Sequence, residues 1–303
     1  MAFTAKDVQA LREKTGCGMM DCKKALSECD GNMEAAVDFL REKGLASQAK
    51  KAGRIAAEGT VSAVVKNGVA AMVELNSETD FVANGENFKA LAAKIADIVA
   101  DQNPADLDAL NQCKENGQTV EEMVQELFLA IRENIKIRRF VRMEGCVVTY
   151  VHGGGKIGVI VKFDTDASAD DEAVIACGKN IAMQIAAMNP AYLDEKSVPA
   201  EVIEKEKEIM IAQMKEDPKM ANKPEAVLGK IVEGKLGKYY KENCLVDQQY
   251  VIDGEMTVGK YVESVAKEIG KNLRIASYVR FEKGEGIEKR VDDFAAEVAS
   301  MVK

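Results

Sequence analysis

Cysteine and histidine most often carry nucleophilic or metal chemistry, and this chain has seven cysteines and one histidine, His152. The cysteines form no C-x-x-C pair, and they are Cys17, Cys22, Cys29, Cys113, Cys146, Cys177 and Cys244. Their odd number disfavours a disulfide framework, and their spacing disfavours a structural zinc site. A single histidine also disfavours most acid–base and nucleophile–histidine mechanisms. The sequence therefore predicts no metal, no cofactor and no catalytic residue.

The glycine-rich run Gly153–Lys156 is the segment closest to a phosphate-binding loop. A Walker loop places Ser or Thr directly after its lysine, but Ile157 follows Lys156 in this chain. We therefore interpret the run as the turn of a β-hairpin. His152 lies beside that turn, either as a solvated loop residue or as a contact for a partner.

A basic cluster is the other candidate for anion binding, and it comprises Arg132, Lys136, Arg138, Arg139 and Arg142. Its alternation with apolar residues such as Ile137 and Val141 predicts the solvated face of a half-buried strand. The whole chain is acidic, with 50 Asp and Glu against 41 Lys and Arg. Because phosphate binding needs a basic face, we expect no direct contact with nucleic acid.

The segment Ser77–Asn84 places a carboxylate and a large aromatic side by side after a predicted strand, at Asp80 and Phe81. One interpretation is that Phe81 fills the chain's own core while Thr79 or Asp80 caps a helix. The other is that the loop presents these side chains to a partner. The residues alone favour the first interpretation.

An internal repeat indicates how the body of the chain is organised. Residues 119–144 and 257–282 align without a gap, and nine of the 26 positions are identical. In each copy a hairpin and a helix precede the repeated helix and strand. The first hairpin turns at Lys66-Asn67-Gly68 and the second at His152–Gly155. The repeat predicts two α+β subdomains.

Helical periodicity predicts the remaining elements. Three short helices open the chain, with Thr4 as the first N-cap and Gly44 as the last C-cap. A linker to Arg54 follows, and because it has no strong breaker a helical conformation stays open for it. The second copy carries an insertion that reads as an antiparallel helical hairpin, and a last helix covers 291–302. The predicted domains are therefore 1–55, 56–143, 144–282 with the insertion at about 197–247, and 283–303.

Composition bounds the location and the partners. The 303 residues include no apolar run near the roughly 20 residues that span a bilayer. The N-terminus has neither a signal core nor a transit-peptide composition. We expect a cytoplasmic protein that does not bind membranes, and the helical hairpin leaves a homodimer open.

Three separated motifs, in the same order, resemble the elongation factor Ts family, and the resemblance covers essentially the whole chain. They are Leu11–Leu26, Glu74–Ala83 and Arg280–Lys289. The repeat with its inserted hairpin is also what that family shows. The resemblance implies a non-enzymatic guanine-nucleotide exchange factor for elongation factor Tu.

The resemblance also implies roles for individual residues. The first domain would be a three-helix bundle like a ubiquitin-associated domain, which docks on the partner's G domain with Met19 and Met20. The family's Thr-Asp-Phe-Val motif matches Thr79, Asp80, Phe81 and Val82, which would dislocate Mg²⁺ from the partner's nucleotide site. His152 matches the histidine of a His-Gly motif that contacts the same region, although its turn is one residue longer here. The insertion would be a coiled coil to which no essential step of nucleotide exchange is assigned.

Two other classes of function remain open at this point. An adaptor or ribosome-associated chaperone factor would use Met19 and Met20 to hold a polypeptide, and the loop at Thr79–Val82 would then have no role. A redox or zinc enzyme built on Cys17, Cys22 and Cys29 is disfavoured by their spacing.

Overall fold

The computed structural model describes residues 3–216 and 225–288, and the chain divides into two compact units. The first unit contains the chain up to Arg142, the segment Val151–Gly158 and the described residues from Phe281 onward. The second contains Met143–Tyr150 and Val159–Arg280. Helices and strands are both abundant, so the expected α+β class is confirmed. The helix expected over 291–302 lies outside the described residues.

The first unit opens with three helices, which are α1 (Ala5–Thr15), α2 (Met19–Glu28) and α3 (Met33–Lys51). Thr4 caps α1 as predicted, in a reciprocal capping box with Asp7. The helices pack on the buried residues Val8, Leu11, Cys17, Cys22, Ala25, Leu26, Ala36 and Leu40. Cys17 and Cys22 are therefore small apolar packing residues of this core.

The prediction that Gly44 ends the third helix is wrong, because α3 continues to Lys51. Residues 45–51 contain no helix breaker, and the linker expected there is largely helical. Gly44 is buried, and a Cβ at this position would collide with the Leu129 side chain. Its role is thus to let two helices approach closely rather than to end one.

A three-stranded sheet follows, with the order β1 (Glu58–Lys66), β2 (Val69–Ser77) and β5 (Lys136–Glu144). The β1–β2 hairpin turns at Asn67 and Gly68, which both have positive φ, as the Asn-Gly pair predicts. Between β2 and β5 lie α4 (Asp80–Ala83), α5 (Glu86–Gln102), α6 (Leu107–Gln112), a short ladder of β3 (Lys114–Glu115) and β4 (Gln118–Thr119), and α7 (Val120–Ile131). The sheet and these helices enclose a core in which Phe88 and Ile95 are fully buried.

The expectation of a solvated basic face is wrong for Arg138 and Arg139 of β5, whereas Lys136 at the start of the strand is exposed. Arg138 and Arg139 are about seven-tenths buried, and both bind the carboxylate of Glu74, which is fully buried on β2. The distances are 3.0 Å from Arg138 Nη1 to Glu74 Oε1 and 2.6 Å from Arg139 Nε to Glu74 Oε2. The Gly284 N–H also donates to Glu74 Oε1, at 2.8 Å. A buried carboxylate needs such partners, so these arginines are structural.

The second unit holds most of a sheet with the order β6 (Cys146–His152), β7 (Ile157–Thr165) and β8 (Leu273–Glu282). Its helices are α8 (Glu172–Met188), α9 (Ala200–Glu216), α10 (Glu225–Asn243) and α11 (Val258–Ile269). Thr257 caps α11 as Thr119 caps α7, so the repeated helix starts at the same position in both copies. The inserted helices α9 and α10 share an apolar cluster of Met214, Leu228, Val232 and Leu236.

Candidate functional site

The loop after β2 combines two buried residues, Val82 and Ala83, with the exposed residues Thr79, Asp80 and Phe81. Thr79 is the N-cap of the single-turn helix α4, and its hydroxyl accepts a hydrogen bond from the Val82 N–H at 3.3 Å. Val82 and Ala83 point into the core of the first unit. Asp80 is exposed, and Phe81 is 86% exposed. The predicted cap at Thr79 is confirmed, but the expectation that Phe81 fills the core is wrong, because one turn that buries Val82 and Ala83 turns Phe81 outward.

The base of this loop is held by the turn between α7 and β5. The Thr79 N–H donates to Glu133 Oε2 at 3.0 Å, and the Thr79 hydroxyl donates to Glu133 Oε1 at 2.7 Å. One residue earlier, Glu78 accepts the Asn134 N–H at 2.7 Å and pairs with Arg54. Bonds to a charged carboxylate are stronger than those between neutral groups, so the loop leaves the sheet in a fixed direction.

Met19 and Met20 lie in the first turn of α2 and are 44% and 74% exposed. The opposite face of the helix is buried through Cys22, Ala25 and Leu26. The two methionines therefore form an apolar, adaptable surface that the three-helix core does not use.

His152 lies at the tip of the β6–β7 hairpin and is exposed, and the turn interpretation of Gly153–Lys156 is confirmed. Gly153, Gly154 and Gly155 all have positive φ, at 60°, 64° and 105°. Gly155 packs so closely on Thr60 of β1 that a Cβ would collide with the Thr60 hydroxyl. The Val61 N–H also donates to the Gly155 carbonyl at 2.8 Å, which fixes the hairpin tip on β1.

Two of the thiols lie in surroundings that favour their protonated form. Burial raises the pKa of Cys22 and raises that of Cys177 to about 12, so both stay protonated at neutral pH. Across residues 3–216 and 225–288 no three His, Cys, Asp or Glu side chains are grouped so as to hold a metal ion. Within the same ranges, no helix is both long and apolar enough to cross a membrane.

Comparison with known proteins places the chain in a family. A family model described as Elongation factor TS matches residues 78–285. The chain is also 52% identical to the elongation factor Ts of Syntrophotalea carbinolica, over the full length of both. The chain belongs to the elongation factor Ts family. Other relatives of that name come from Clostridium perfringens strain 13, 48% identical over 99% of each chain, and Magnetococcus marinus, 45% identical over the full length of both.

The resemblance drawn from three motifs is thus confirmed, and the family is one of translation elongation factors. Sequence reasoning missed the residues that hold the exposed loop, above all Glu133. One signal was present, since Asn134 is identical to its repeat counterpart Asn272. That identity marks the turn as structurally constrained, but it does not reveal which loop the turn holds.

Proposed function

We propose that this chain is a guanine-nucleotide exchange factor that binds elongation factor Tu in its GDP form, displaces Mg²⁺ and GDP, and lets GTP rebind. The observation that carries the proposal is the 86% exposure of Phe81, beside the exposed Asp80, on a turn with a fixed base. A large aromatic held in solvent by a rigid support is suited to insertion into a partner. The chain performs no chemical step of its own, which suits its single histidine.

Exchange requires that binding of this chain and binding of the nucleotide weaken each other by the same free energy. Full burial of a phenylalanine side chain is worth about 1.5–3 kcal/mol, and each tenfold change in affinity needs about 1.4 kcal/mol. Insertion of Phe81 therefore accounts for roughly one to two decades of GDP affinity. Asp80 beside it would disturb the Mg²⁺ that neutralises the phosphates, because carboxylate oxygens are the ligands that Mg²⁺ prefers.

The other surfaces act as docking contacts in this proposal. Residues 1–55, as a bundle like a ubiquitin-associated domain, bind the partner's G domain through Met19 and Met20. Thr79 and Val82 form the base of the exchange motif, and His152 makes a second contact. The repeated core covers 56–143 and 144–282, and the insertion at about 197–247 is a coiled coil that is not required for exchange. The chain acts in the cytoplasm, as translation elongation does.

The direct test measures release of fluorescently labelled GDP from purified elongation factor Tu, with and without this chain. Substoichiometric amounts of the chain should accelerate release, because one molecule is expelled by GTP and acts again. Unchanged release from a partner shown to be active would contradict the proposal.

An adaptor function is the second candidate, and the 74% exposure of Met20 is the observation that favours it. An adaptor would capture unfolded polypeptide through Met19 and Met20 without any effect on GDP release. Replacement of Phe81 separates the two functions, because only an exchange factor depends on that side chain.

A further inference from the structure

The turn Arg132-Glu133-Asn134, here named the junction, connects the two surfaces that the proposed function uses. The first surface is the loop at Thr79–Val82, here named the exchange loop. Glu133 binds the backbone and side chain of Thr79, and the Asn134 N–H donates to Glu78 just before the loop. Toward the three-helix bundle, Arg132 Nη2 lies 3.0 Å from the carboxylate of Asp21, which directly follows Met20. The junction also binds the segment that follows α3, since the Asn134 side chain donates to the Arg54 carbonyl at 2.7 Å.

The internal repeat separates what the fold needs from what only the first copy has. In the second copy the Asn272 N–H donates to Asp166 at 2.7 Å, just as the Asn134 N–H donates to Glu78. That bond is therefore part of the repeated fold. The two hydrogen bonds from Thr79 to Glu133 are here named the clamp. In the second copy the corresponding residues are Ala167 and Lys271, which cannot form these bonds. The clamp is present only in the copy that carries the exposed Phe81.

The backbone conformation of Arg132 also indicates a role that only the first copy has. Arg132 ends α7 in the left-handed conformation, with φ of 65°, where its counterpart Gly270 has φ of 64°. The left-handed region is unfavourable for a residue with a Cβ and easy for glycine. Backbone strain of this kind persists only where the surrounding structure holds it, and it clusters at functional sites. Here that side chain reaches Asp21, on the helix of Met19 and Met20.

We propose that Glu133 and Arg132 are positioning residues of the exchange site, which fix the Phe81 turn and the Met19–Met20 helix to one junction. This inference rests on the proposed function. Glu133 acts through Thr79. Because the loop is already ordered, insertion of Phe81 into the partner loses less conformational entropy. Arg132 acts through Asp21, so that docking by α2 brings the loop to its target in one geometry.

The test compares Glu133→Gln with Glu126→Gln, which removes the same charge from an exposed position on α7. Glutamine has one acceptor oxygen instead of two, so one of the two bonds to Thr79 is lost. The rate constant of GDP release at saturating chain should fall roughly tenfold, equivalent to about 1.4 kcal/mol, in Glu133→Gln. The chain concentration for half-maximal rate should stay unchanged. Glu126→Gln should behave as wild type in both.

A second measurement reports on the loop without any partner. Hydrogen exchange of the backbone amides at 79–83 should become faster in Glu133→Gln and stay unchanged in Glu126→Gln. Replacement of Arg132 by glycine should leave the melting temperature unchanged or higher, because glycine relieves the strained φ. Exchange activity should nevertheless fall, which a purely structural arginine would not cause.

The outcomes distinguish the inference from the function on which it rests. Suppose that the wild-type chain accelerates GDP release, and that Glu133→Gln keeps both the saturating rate and the amide protection of the loop. That result overturns the inference and leaves the exchange function in place. No acceleration by the wild-type chain overturns the exchange function and this inference with it. Acceleration by wild type, loss in Glu133→Gln and non-additive effects of Thr79→Ala and Glu133→Ala support both.

Discussion

Phe81 is the most exposed of the large apolar side chains in the described part of the chain. Single exposed apolar residues are common on protein surfaces, so exposure alone is weak support for a function. The position of Phe81 is more informative, because its neighbours Val82 and Ala83 are buried and the base of its turn is bound by Glu133. Because Phe81 is 86% exposed, it buries little apolar surface within the chain and contributes little to the chain's own stability.

Replacement of Phe81 by alanine should therefore separate activity from stability. We expect the saturating rate of GDP release to fall by one to two decades, while partner affinity changes little and the melting temperature is unchanged. Phe88→Ala is the matched control, because Phe88 is fully buried and its loss costs about 3–5 kcal/mol. Equal losses of exchange and of partner binding in Phe81→Ala would contradict the wedge mechanism.

Helices and strands were predictable from the sequence where local capping or turn signals mark their ends. Thr4 marks the start of α1 through capping, and Asn67-Gly68 marks a hairpin. Gly44 was misread because a glycine near a helix end is a local stop signal, whereas its actual partner is Leu129, distant in the sequence. The direction of Phe81 and the clamp at Glu133 likewise depend on packing between segments far apart in the chain, which periodicity does not report.

The contrast between two helical glycines tests the packing role of Gly44. Gly44→Ala should destabilise the chain by roughly 1–3 kcal/mol, because the new Cβ displaces the buried Leu129 and outweighs the gain in helix propensity. Gly234→Ala in α10 should instead stabilise by about 0.5–1 kcal/mol, since a Cβ there would meet nothing within 4 Å beyond its own helix backbone. Urea unfolding measures both. If Gly44→Ala stabilises the chain, the contact between α3 and α7 can accommodate the added Cβ and the packing role of Gly44 is wrong.

At the scale of the whole chain, the first unit is closed by a segment that returns from far along the sequence. Glu74 on β2 binds Arg138 and Arg139 of β5 and the N–H of Gly284. Lys283 next to it pairs with Glu58 on β1 at 2.6 Å, and Arg139 lies over the Phe281 ring at 4.2 Å. The buried Glu74 carboxylate and these neighbouring contacts thus hold residues 281–285 on the sheet whose strand β2 leads into the Thr79–Val82 loop.

Removal of that carboxylate should weaken the whole first unit. In Glu74→Ala, two mostly buried guanidinium groups lose their shared partner, and breaking a buried pair in this way costs about 3–5 kcal/mol. We expect a lower urea midpoint and faster hydrogen exchange of the amides at 283–286. Glu204→Ala is the control, because the Glu204–Lys207 pair is solvent-exposed and such pairs contribute about 0–1 kcal/mol. If Glu74→Ala unfolds at the same urea concentration as Glu204→Ala, the carboxylate does not fasten the returning segment, and the other contacts of residues 281–285 hold it in place.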